Sequence, residues 1–395
     1  MSGYAPYRHQ PLKALYLTYE LFTTTFIRLP YWLLASVVPS LRPRRSWGFR
    51  KAMQVRILRR FTGLSNAVGP IAKLPNHLAL VTGVGYHGVW VPPVQEDAIQ
   101  GQLSTWISVA QVSPTRLPGY WLHKPDSTIN LEAALMPGEK IIYALHGGAY
   151  TRLSAHPSDL TAGIVRGFLN TVDSVHRTFS IEYRLSSTHP FAVEHPFPTA
   201  LVDALAGYAY LCNKFPSSEI IVEGDSAGGN LALALTRYLV EYTNPKLPPP
   251  GGLLLLSPWC DMGRSHLTPD SSFRSCADSD YLPAKISGSL SYPVAAFTGP
   301  FGIGAAELNP YISPASKRLF SPPSFAGFPP TFISCGGAEL LRDSIRTLHH
   351  RMAQDVRVEY LEAPDAVHDF IVFETHEPER STSLAAIAKW IGTLP

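Results

Sequence analysis

One short stretch restricts the possible folds of this 395-residue chain more than any other: GDSAGGN at residues 224–230. It follows an apolar run at 220–222 that is typical of a short strand, and it precedes an Ala/Leu-rich run at 231–235 that is typical of a helix. Three glycines and two small polar side chains let the chain turn sharply between two such elements. The stretch therefore predicts a tight strand–turn–helix connection with Ser226 at the turn.

The same letters fit the pattern G-x-S-x-G, in which a serine on a strained turn acts as a nucleophile. A glycine-rich turn with an N-capping serine explains them as well, because a chain with 29 glycines can contain this pattern by chance. In a tight turn, the small residues Gly224 and Gly228 would let neighbouring elements approach and would leave the Ser226 hydroxyl exposed above a helix N-terminus. The motif alone leaves both interpretations open.

A second signal, HGGAY at residues 146–150, follows another strand-like run at 140–145. Two consecutive glycines can turn their backbone N–H groups toward one point, and acyl transfer needs such donors where the carbonyl oxygen gains negative charge. We therefore expect the N–H groups of Gly147 and Gly148, with that of Ala227, to form an oxyanion hole. Together with the serine turn, this segment favours a catalytic serine over a simple glycine-rich turn.

A serine nucleophile of this type needs an acid and a base, in the chain order serine, acid, histidine. His368 in VHDF follows the last strand-like run and could take the proton from Ser226. The segment ELLRD offers two acids, Glu339 and Asp343, which are four residues apart and would share a face if both were on one helix. Gly336 and Gly337 precede Glu339, which favours Glu339 in the loop at the sheet edge.

Two further side chains of the HGGAY segment have separate roles in this interpretation. His146 is expected to hold the segment 146–150, here called the oxyanion loop, in place through hydrogen bonds. Tyr150 is expected to line the substrate pocket, because aromatic side chains suit lipophilic acyl or alcohol groups.

Short apolar runs alternate with helical runs from about residue 104 onward. This alternation predicts an α/β fold with a mostly parallel sheet covered by helices on both faces, and the first two runs are expected to form a hairpin. The segment 261–328 is rich in Pro, Gly and Ser, and we expect it to be an insertion above the carboxyl edge of the sheet. The expected strands are 107–112, 119–123, 140–145, 178–183, 220–222, 253–256, 331–334 and 356–361, and the expected helices are 159–170, 198–212, 227–242 and 383–391.

The N-terminal region is apolar and aromatic at residues 15–38, but Glu20, Arg28 and Pro30 interrupt it. A helix that spans a membrane needs about 20 largely apolar residues, so the region favours amphipathic helices packed on the enzyme body. A membrane-surface anchor is the alternative, since basic residues beside an apolar helix suit an anionic membrane face. The basic residues concerned are Arg42, Arg44, Arg45, Arg50 and Lys51.

Composition excludes several classes of function. The formal net charge of +3 is small for this length and gives no basis for nucleic-acid binding. The four cysteines are scattered, which favours reduced, mostly buried thiols and a cytoplasmic location, with membrane association as an option. The absence of clustered His and Cys ligand motifs leads us to expect neither a metal ion nor a cofactor.

From about residue 140 to its C-terminus, the chain resembles the α/β-hydrolases of the hormone-sensitive-lipase group, also called GDXG lipolytic enzymes. In this family the N-terminal segment forms part of a cap over the acyl and alcohol pockets. The N-terminal region here resembles that of fungal members, which often act on secondary metabolites or acetylated lipids. The resemblance rests on HGGAY, IEYRLS, HPFPTALVDA, GDSAGGN, LLLLSPWCD, ELLRD and VHDF, in the family's order.

The resemblance implies a role for each matching residue. Ser226 would be the nucleophile and His368 the base, and the oxyanion hole would comprise Gly147, Gly148 and Ala227. The family's acid motif usually reads D-x-L-x-D, and its first position here is Glu339, with Asp343 as the second choice. By the same resemblance, residues 1–100 would be an N-terminal cap or membrane-associated segment, and residues 101–395 a catalytic domain with the cap insertion 261–328.

Three functions are compatible with these features. The first is a serine carboxylic-ester hydrolase acting on a lipophilic ester, such as a secondary metabolite or an acetylated lipid. The second is an acyltransferase or lactone-forming cyclase that uses the same acyl-enzyme with an alcohol as acceptor. The third is a binding protein on the same fold, which the presence of a serine, a histidine and an acid disfavours. The expected partner is a small lipophilic ester, and the oligomeric state is not predicted.

Overall fold

A computed structural model describes residues 3–71, 75–83, 85–124, 127, 130, 133–283 and 291–395. Within these residues, eight strands form one sheet in the order β1-β2-β4-β3-β5-β6-β7-β8. The β1–β2 and β2–β4 pairs are antiparallel, and the other pairs are parallel. The strands are β1 Tyr86–Val91, β2 Leu117–His123, β3 Lys140–Leu145, β4 Val175–Ile181, β5 Ile220–Asp225, β6 Gly252–Leu256, β7 Thr331–Gly336 and β8 Val358–Ala363.

Helices cover both faces of this sheet. On one face, apolar side chains of α6, α7 and α11 pack into one core cluster, and on the other face those of α3, α5 and α12 pack into a second. The predicted α/β architecture, a mostly parallel sheet covered by helices on both faces, is therefore confirmed. The helices are α1 Leu12–Thr23, α2 Leu29–Val37, α3 Phe49–Val68, α4 Gln102–Ala110, α5 Ala162–Thr171, α6 Thr199–Cys212, α7 Ala227–Glu241, α8 Ser272–Ser275, α9 Tyr292–Thr298, α10 Ala305–Leu308, α11 Arg342–Met352 and α12 Glu379–Ile391.

One predicted strand is wrong. Residues 107–112 were expected to pair with 119–123, but they contain the end of helix α4, and β2 instead pairs antiparallel with β1 and β4. The β-branched side chains of this run favour a strand, whereas Leu103 and Trp106, three residues apart, bury one face of a helix. Because β1 begins at Tyr86, the sheet starts before the boundary expected near residue 100.

The N-terminal segment forms helices α1 and α2, joined by a π-helical segment at Thr24–Arg28, and then helix α3. Helix α2 packs against α3, and α3 buries Ala52 and Val55 in the core of the enzyme body. No helix of the described residues is long and apolar enough to cross a membrane.

The insertion between β6 and β7 is attached to the loop that follows β7. The Leu340 N–H donates to Asp280 Oδ2 at 2.7 Å, and the Ser279 hydroxyl donates to the Ala338 carbonyl oxygen at 2.9 Å. Residues 284–290 of the insertion lie outside the described residues. The loop that carries Glu339 therefore lies between the insertion, to which it is hydrogen-bonded, and the edge of the sheet.

Candidate active site

Ser226 lies between the end of β5 and the start of α7, as the sequence predicts. Its φ of 52° and ψ of −113° are in a region that non-glycine residues rarely adopt, so the turn is strained. Glycine is required on both sides of it: a Cβ on Gly228 would overlap the Leu145 carbonyl oxygen, and a Cβ on Gly224 would overlap that of Gly228. The close approach of strand and helix therefore presents the serine hydroxyl at the sheet edge.

His368, in the loop after β8, reaches this serine. Its Nε2 lies 2.9 Å from Ser226 Oγ, within hydrogen-bond distance. The two residues are 142 positions apart in the chain, and both side chains are buried except for a small exposed part of Ser226. The pair has the geometry of a nucleophile and its general base.

Glu339 lies on the other side of the imidazole. Its Oε1 is 3.6 Å from His368 Nδ1, and neither atom has a hydrogen-bond partner among the described residues. Its Oε2 accepts hydrogen bonds from the Ser257 hydroxyl at 2.6 Å and from the Gly336 N–H at 2.7 Å. Catalytic hydrogen bonds are often long in the absence of substrate, so this distance suits an orienting acid.

Asp343 lies elsewhere. It is in the first turn of α11, where its Oδ2 accepts a hydrogen bond from the Ser272 N–H at 2.7 Å and its Oδ1 contacts Arg342 at 3.3 Å. Asp343 therefore connects the insertion to α11.

The predicted oxyanion hole needs one correction. The Gly147 N–H donates to Asp225 Oδ1 at 2.9 Å, so it is not available to a substrate oxygen. In contrast, the N–H groups of Gly148, Ala149 and Ala227 have no acceptor among the described residues. Gly148 and Ala149 also line the same cavity as Ser226, which favours Ala149 in place of Gly147 as a donor.

His146 contacts the oxyanion loop as expected. Its Nδ1 lies 2.7 Å from the Gly147 carbonyl oxygen, and its ring stacks on Tyr183 with a centroid distance of 4.2 Å. The Tyr183 hydroxyl donates to the His146 carbonyl oxygen at 2.6 Å. Burial lowers the pKa of His146 to about 4, so its ring is neutral near pH 7.

Tyr150 does not have the position that we expected. It is buried and is not among the residues that line the cavity. Its hydroxyl donates to Asn230 Oδ1 at 2.8 Å, and its ring stacks on Phe297 at 3.8 Å. The amide of Asn230 in turn donates to the carbonyl oxygens of Trp259 and Ile312. Tyr150 therefore ties the oxyanion loop to α7 rather than contacting a ligand.

A cavity of about 600 Å³ opens above Ser226 and His368. Its wall is mostly apolar, with the charged side chains Asp159 and Arg152 among its lining, and this size and character suit a lipophilic small molecule. The N-terminal segment and the insertion both contribute to it: Tyr4, Leu58, Phe61, Thr62, Ser65, Asn66, Tyr281, Leu282, Pro283, Tyr292 and Pro293.

Two side chains that lie beside His368 and Glu339, those of Ser257 and Asp369, were not predicted from the sequence. The Ser257 hydroxyl binds Glu339 and also accepts a hydrogen bond from the Asp369 N–H at 3.1 Å. Asp369 Oδ2 lies 3.0 Å from His368 Nε2, and Asp369 has a φ of 47° in the left-handed region. Ser257 follows a strand and Asp369 follows the histidine, so their positions at the sheet edge were the available signal.

Acidic side chains surround His368. Burial alone would lower the pKa of His368, but Asp369 and Glu339 raise it well above its ordinary value. Burial raises the pKa of Asp225, at the end of β5, and that of Asp280, in the insertion, and the charge of His368 lowers both. Asp369 and Glu339 therefore favour the protonated form of the His368 ring.

Asp225 and Asp369 both line the cavity. Burial raises the pKa of each carboxyl. The charge of Asp369 raises the pKa of Asp225 further, and the charge of Glu339 raises the pKa of Asp369.

The described residues contain no group of three or more His, Cys, Asp or Glu side chains placed to hold a metal ion. The four cysteines are free thiols, and Cys212, Cys260 and Cys335 have raised pKa values because they are buried.

Comparison with known proteins agrees with this geometry. A family model described as the alpha/beta hydrolase fold matches residues 142–372. The chain is 28% identical over 290 residues to an esterase of Acinetobacter venetianus, a match that covers 72% of this chain and 82% of the relative. It is 28% identical over 256 residues to esterase LipU of Mycobacterium tuberculosis, covering 64% of this chain and 77% of the relative.

Solved structures are similar to this chain as well. A hormone-sensitive lipase from a metagenome library superposes with a TM-score of 0.54 at 28% identity, covering 70% of this chain and 82% of that chain. These three proteins do not test the expected likeness to fungal members.

Proposed function

Because this chain belongs to the α/β-hydrolase fold family, within the hormone-sensitive-lipase group, we propose that its ester-hydrolase activity is carried by Ser226, His368 and Glu339 as a catalytic triad. The observation that carries the proposal is the 2.9 Å distance between His368 Nε2 and Ser226 Oγ at the base of a largely apolar cavity. A serine, a base and an orienting acid are the minimum set for acyl transfer through an acyl-enzyme.

In the acylation step, His368 Nε2 takes the proton from Ser226 Oγ as the oxygen attacks the ester carbonyl carbon. The carbonyl oxygen becomes an oxyanion, which the free N–H groups of Gly148, Ala149 and Ala227 would bind. The bond to the alkoxy group then breaks, and the alcohol leaves with the proton from His368. Ser226 is left as its ester.

In the deacylation step, a water molecule gives its proton to His368 and attacks the acyl-enzyme. Collapse of the second oxyanion breaks the bond to Ser226 Oγ, which recovers the proton, and the carboxylic acid is released. Glu339 holds the Nδ1 side of the imidazole and stabilises the imidazolium in both steps. The pKa of His368, raised by Asp369 and Glu339 against the effect of burial, supports this role.

The cavity supports a lipophilic substrate class. A mostly apolar wall binds acyl or alcohol groups by removing apolar surface from water. Residues of the N-terminal segment and of the insertion line the cavity, so we propose that both segments act as its cap.

Acyl transfer to an alcohol is the alternative outcome of the same chemistry. Ser226 is 8% exposed and His368 is 1% exposed, and limited access of water favours an alcohol acceptor that the cavity binds. Incubation with an activated ester, with and without an alcohol, separates the two reactions by the ratio of free acid to new ester.

The test of the proposal is turnover of 4-nitrophenyl esters and labelling by a fluorophosphonate. Ser226→Ala should lose at least about 1,000-fold in turnover and should not be labelled, because triad members act as a unit. Ser65→Ala, which changes another serine of the cavity wall, is the matched control and should keep both properties. A Ser226→Ala protein that keeps more than a few per cent of turnover would overturn the assignment, and a wild-type protein that is neither labelled nor active would be a binding protein.

A further inference from the structure

Helices α1 and α2 and the segment between them expose an unusual amount of apolar surface. Residues 12–41 carry 14 of the 28 large hydrophobic side chains that are exposed among the described residues. Contiguous exposed apolar surface on this scale marks an interaction site. The fourteen are Leu12, Leu15, Tyr19, Leu21, Phe22, Phe26, Ile27, Leu29, Tyr31, Leu33, Leu34, Val37, Val38 and Leu41.

The inward-facing side chains of this segment are mostly polar. Glu20 is 5% exposed and pairs with Arg28 at 2.9 Å and with Arg60 of α3. Ser36 is fully buried and accepts a hydrogen bond from Arg56 of α3. A helix on the surface of a water-soluble protein has the opposite arrangement, with its apolar stripe facing the core and its charges facing water. The polarity of α1 and α2 is therefore that of helices whose outer surroundings are apolar.

The charge of the same region is strongly asymmetric. Residues 1–60 contain eleven Lys and Arg and one acidic residue, a formal charge of +10, whereas the whole chain carries +3 and residues 61–395 therefore carry −7. Arg45 and Arg50 are exposed and have no acidic partner among the described residues. Exposed basic residues beside an apolar surface are attracted to anionic lipid head groups.

Both helices α1 and α2 carry exposed aromatic side chains. Tyr19 and Tyr31 are each more than half exposed, and Trp32 beside Tyr31 is partly exposed. Tyrosine and tryptophan favour the boundary between lipid and water, because their rings are apolar and their polar atoms can still bind water.

The apolar surface continues toward the cavity along α3, which packs against α2. Ile57 and Phe61 are one helical turn apart, 50% and 53% exposed, and Phe61 also lines the cavity. Helix α3 thus contributes both to this apolar surface and to the wall of the cavity.

We propose that α1, α2 and the exposed side of α3 dock this protein on an anionic lipid bilayer, with the helices lying in the interface rather than crossing it. Interfacial helices insert an apolar face into the boundary of head groups and acyl chains and keep basic residues at the head groups. A lipophilic ester would then enter the cavity directly from the lipid, a consequence that rests on the proposed function.

Vesicle flotation of the full chain tests this proposal without turnover. We expect the protein to float with phosphatidylcholine vesicles that contain phosphatidylserine, and to float at least about tenfold less with phosphatidylcholine alone or at high salt. Failure to float with the anionic vesicles would overturn the proposal.

Two substitutions on the outward face, Phe26→Glu with Leu34→Glu, should abolish flotation while leaving the turnover of a short soluble ester unchanged. Both side chains are more than 60% exposed, so the change does not disturb the core. The matched control, Phe320→Glu with Leu308→Glu, changes the same residue types at exposed positions outside this surface and should float like the wild type. Equal flotation of the Phe26→Glu/Leu34→Glu protein and the control would contradict the assignment of this surface.

Charge reversal gives an independent variant. Arg45→Glu with Arg50→Glu should reduce flotation with anionic vesicles several-fold, because it removes the electrostatic part of the attraction.

Light scattering tests whether a second copy of this chain covers the surface instead. If the wild type does not float but forms a dimer, and Phe26→Glu/Leu34→Glu dissociates that dimer, the surface would be assigned to self-association. Loss of soluble-ester turnover in every protein would count against the proposed function and not against docking.

Discussion

Oε1 of Glu339 lies 3.6 Å from Nδ1 of His368, whereas the carboxylate of Asp343 binds the backbone of the insertion. The two acids are four residues apart, but only Glu339 precedes α11 and remains at the sheet edge. Its second oxygen is held by Ser257 and by the backbone of Gly336. These contacts aim the other oxygen at the imidazole.

The ranking of the two acids is the first prediction. Glu339→Gln should lower kcat at least about 100-fold, because a neutral amide cannot stabilise the imidazolium and can hold the wrong tautomer. Asp343→Asn should cost about tenfold or less, since its carboxylate binds the Ser272 N–H and not the histidine. Turnover of a soluble ester, with folding checked by thermal melting, gives the ranking. The reverse order would move the triad acid to Asp343.

The second prediction concerns the pH dependence of kcat/KM. His368 must be neutral to accept a proton, and its pKa is raised above the ordinary 6.5, so activity should fall as the pH drops through a value above 6.5. Asp369→Asn removes the charge that raises this pKa most, and the acid limb should move down by about one pH unit. The exposed substitution Glu374→Gln is the control. An acid limb that stays in place in Asp369→Asn would show that Asp369 does not tune the histidine.

Ser257 should act as a positioning residue. Ser257→Ala removes the hydrogen bond to Glu339 Oε2 and the acceptor of the Asp369 N–H, so Glu339 and the histidine loop lose a common support. A hydrogen bond to a charged group contributes about 1.5–3 kcal/mol, which corresponds to about tenfold or more in kcat if it is made in the transition state. KM should change little, because Ser257 is not among the residues that line the cavity. A change in KM with kcat intact would point to a different role.

Tyr150→Phe tests the corrected role of this tyrosine. The substitution leaves Asn230 Oδ1 buried without its donor, and it should lower the free energy of unfolding by about 1–2 kcal/mol. KM should be unaffected, because the ring remains stacked on Phe297 away from the cavity. Urea unfolding and steady-state kinetics measure the two effects. Unchanged stability with a raised KM would restore Tyr150 to the substrate pocket.

Much of the fold follows from local patterns in the sequence. Strand β3 has the bounds 140–145 that the sequence predicts, and the buried runs of β6 and β7 differ from their predicted bounds by one or two residues at an end. Continuous apolar runs with glycine-rich ends predict buried strands independently of the rest of the sequence, because a strand covered on both faces must be apolar throughout. The run at 107–112 failed because its β-branched residues and its helical spacing point to different structures.

The sequence by itself determined which residue types meet at the sheet edge. The glycines on both sides of Ser226 predict a tight turn, and the order of motifs predicts a histidine and an acid at the same edge. These inferences depend on local geometry and on the order of the motifs along the chain. Both can be recognised from short stretches of sequence.

Only the tertiary structure decided which polar atoms are free. The motif favours Gly147 over Ala149 as a donor, but Asp225, 78 residues from Gly147, accepts the N–H of Gly147. Asp369 and Ser257 approach His368 and Glu339 across 112 residues of chain, and the polar contacts of Glu20 turn the apolar side of α1 outward. The physical reason is that a hydrogen bond depends on positions to within a few tenths of an ångström, and distant elements acquire such positions only when they pack together.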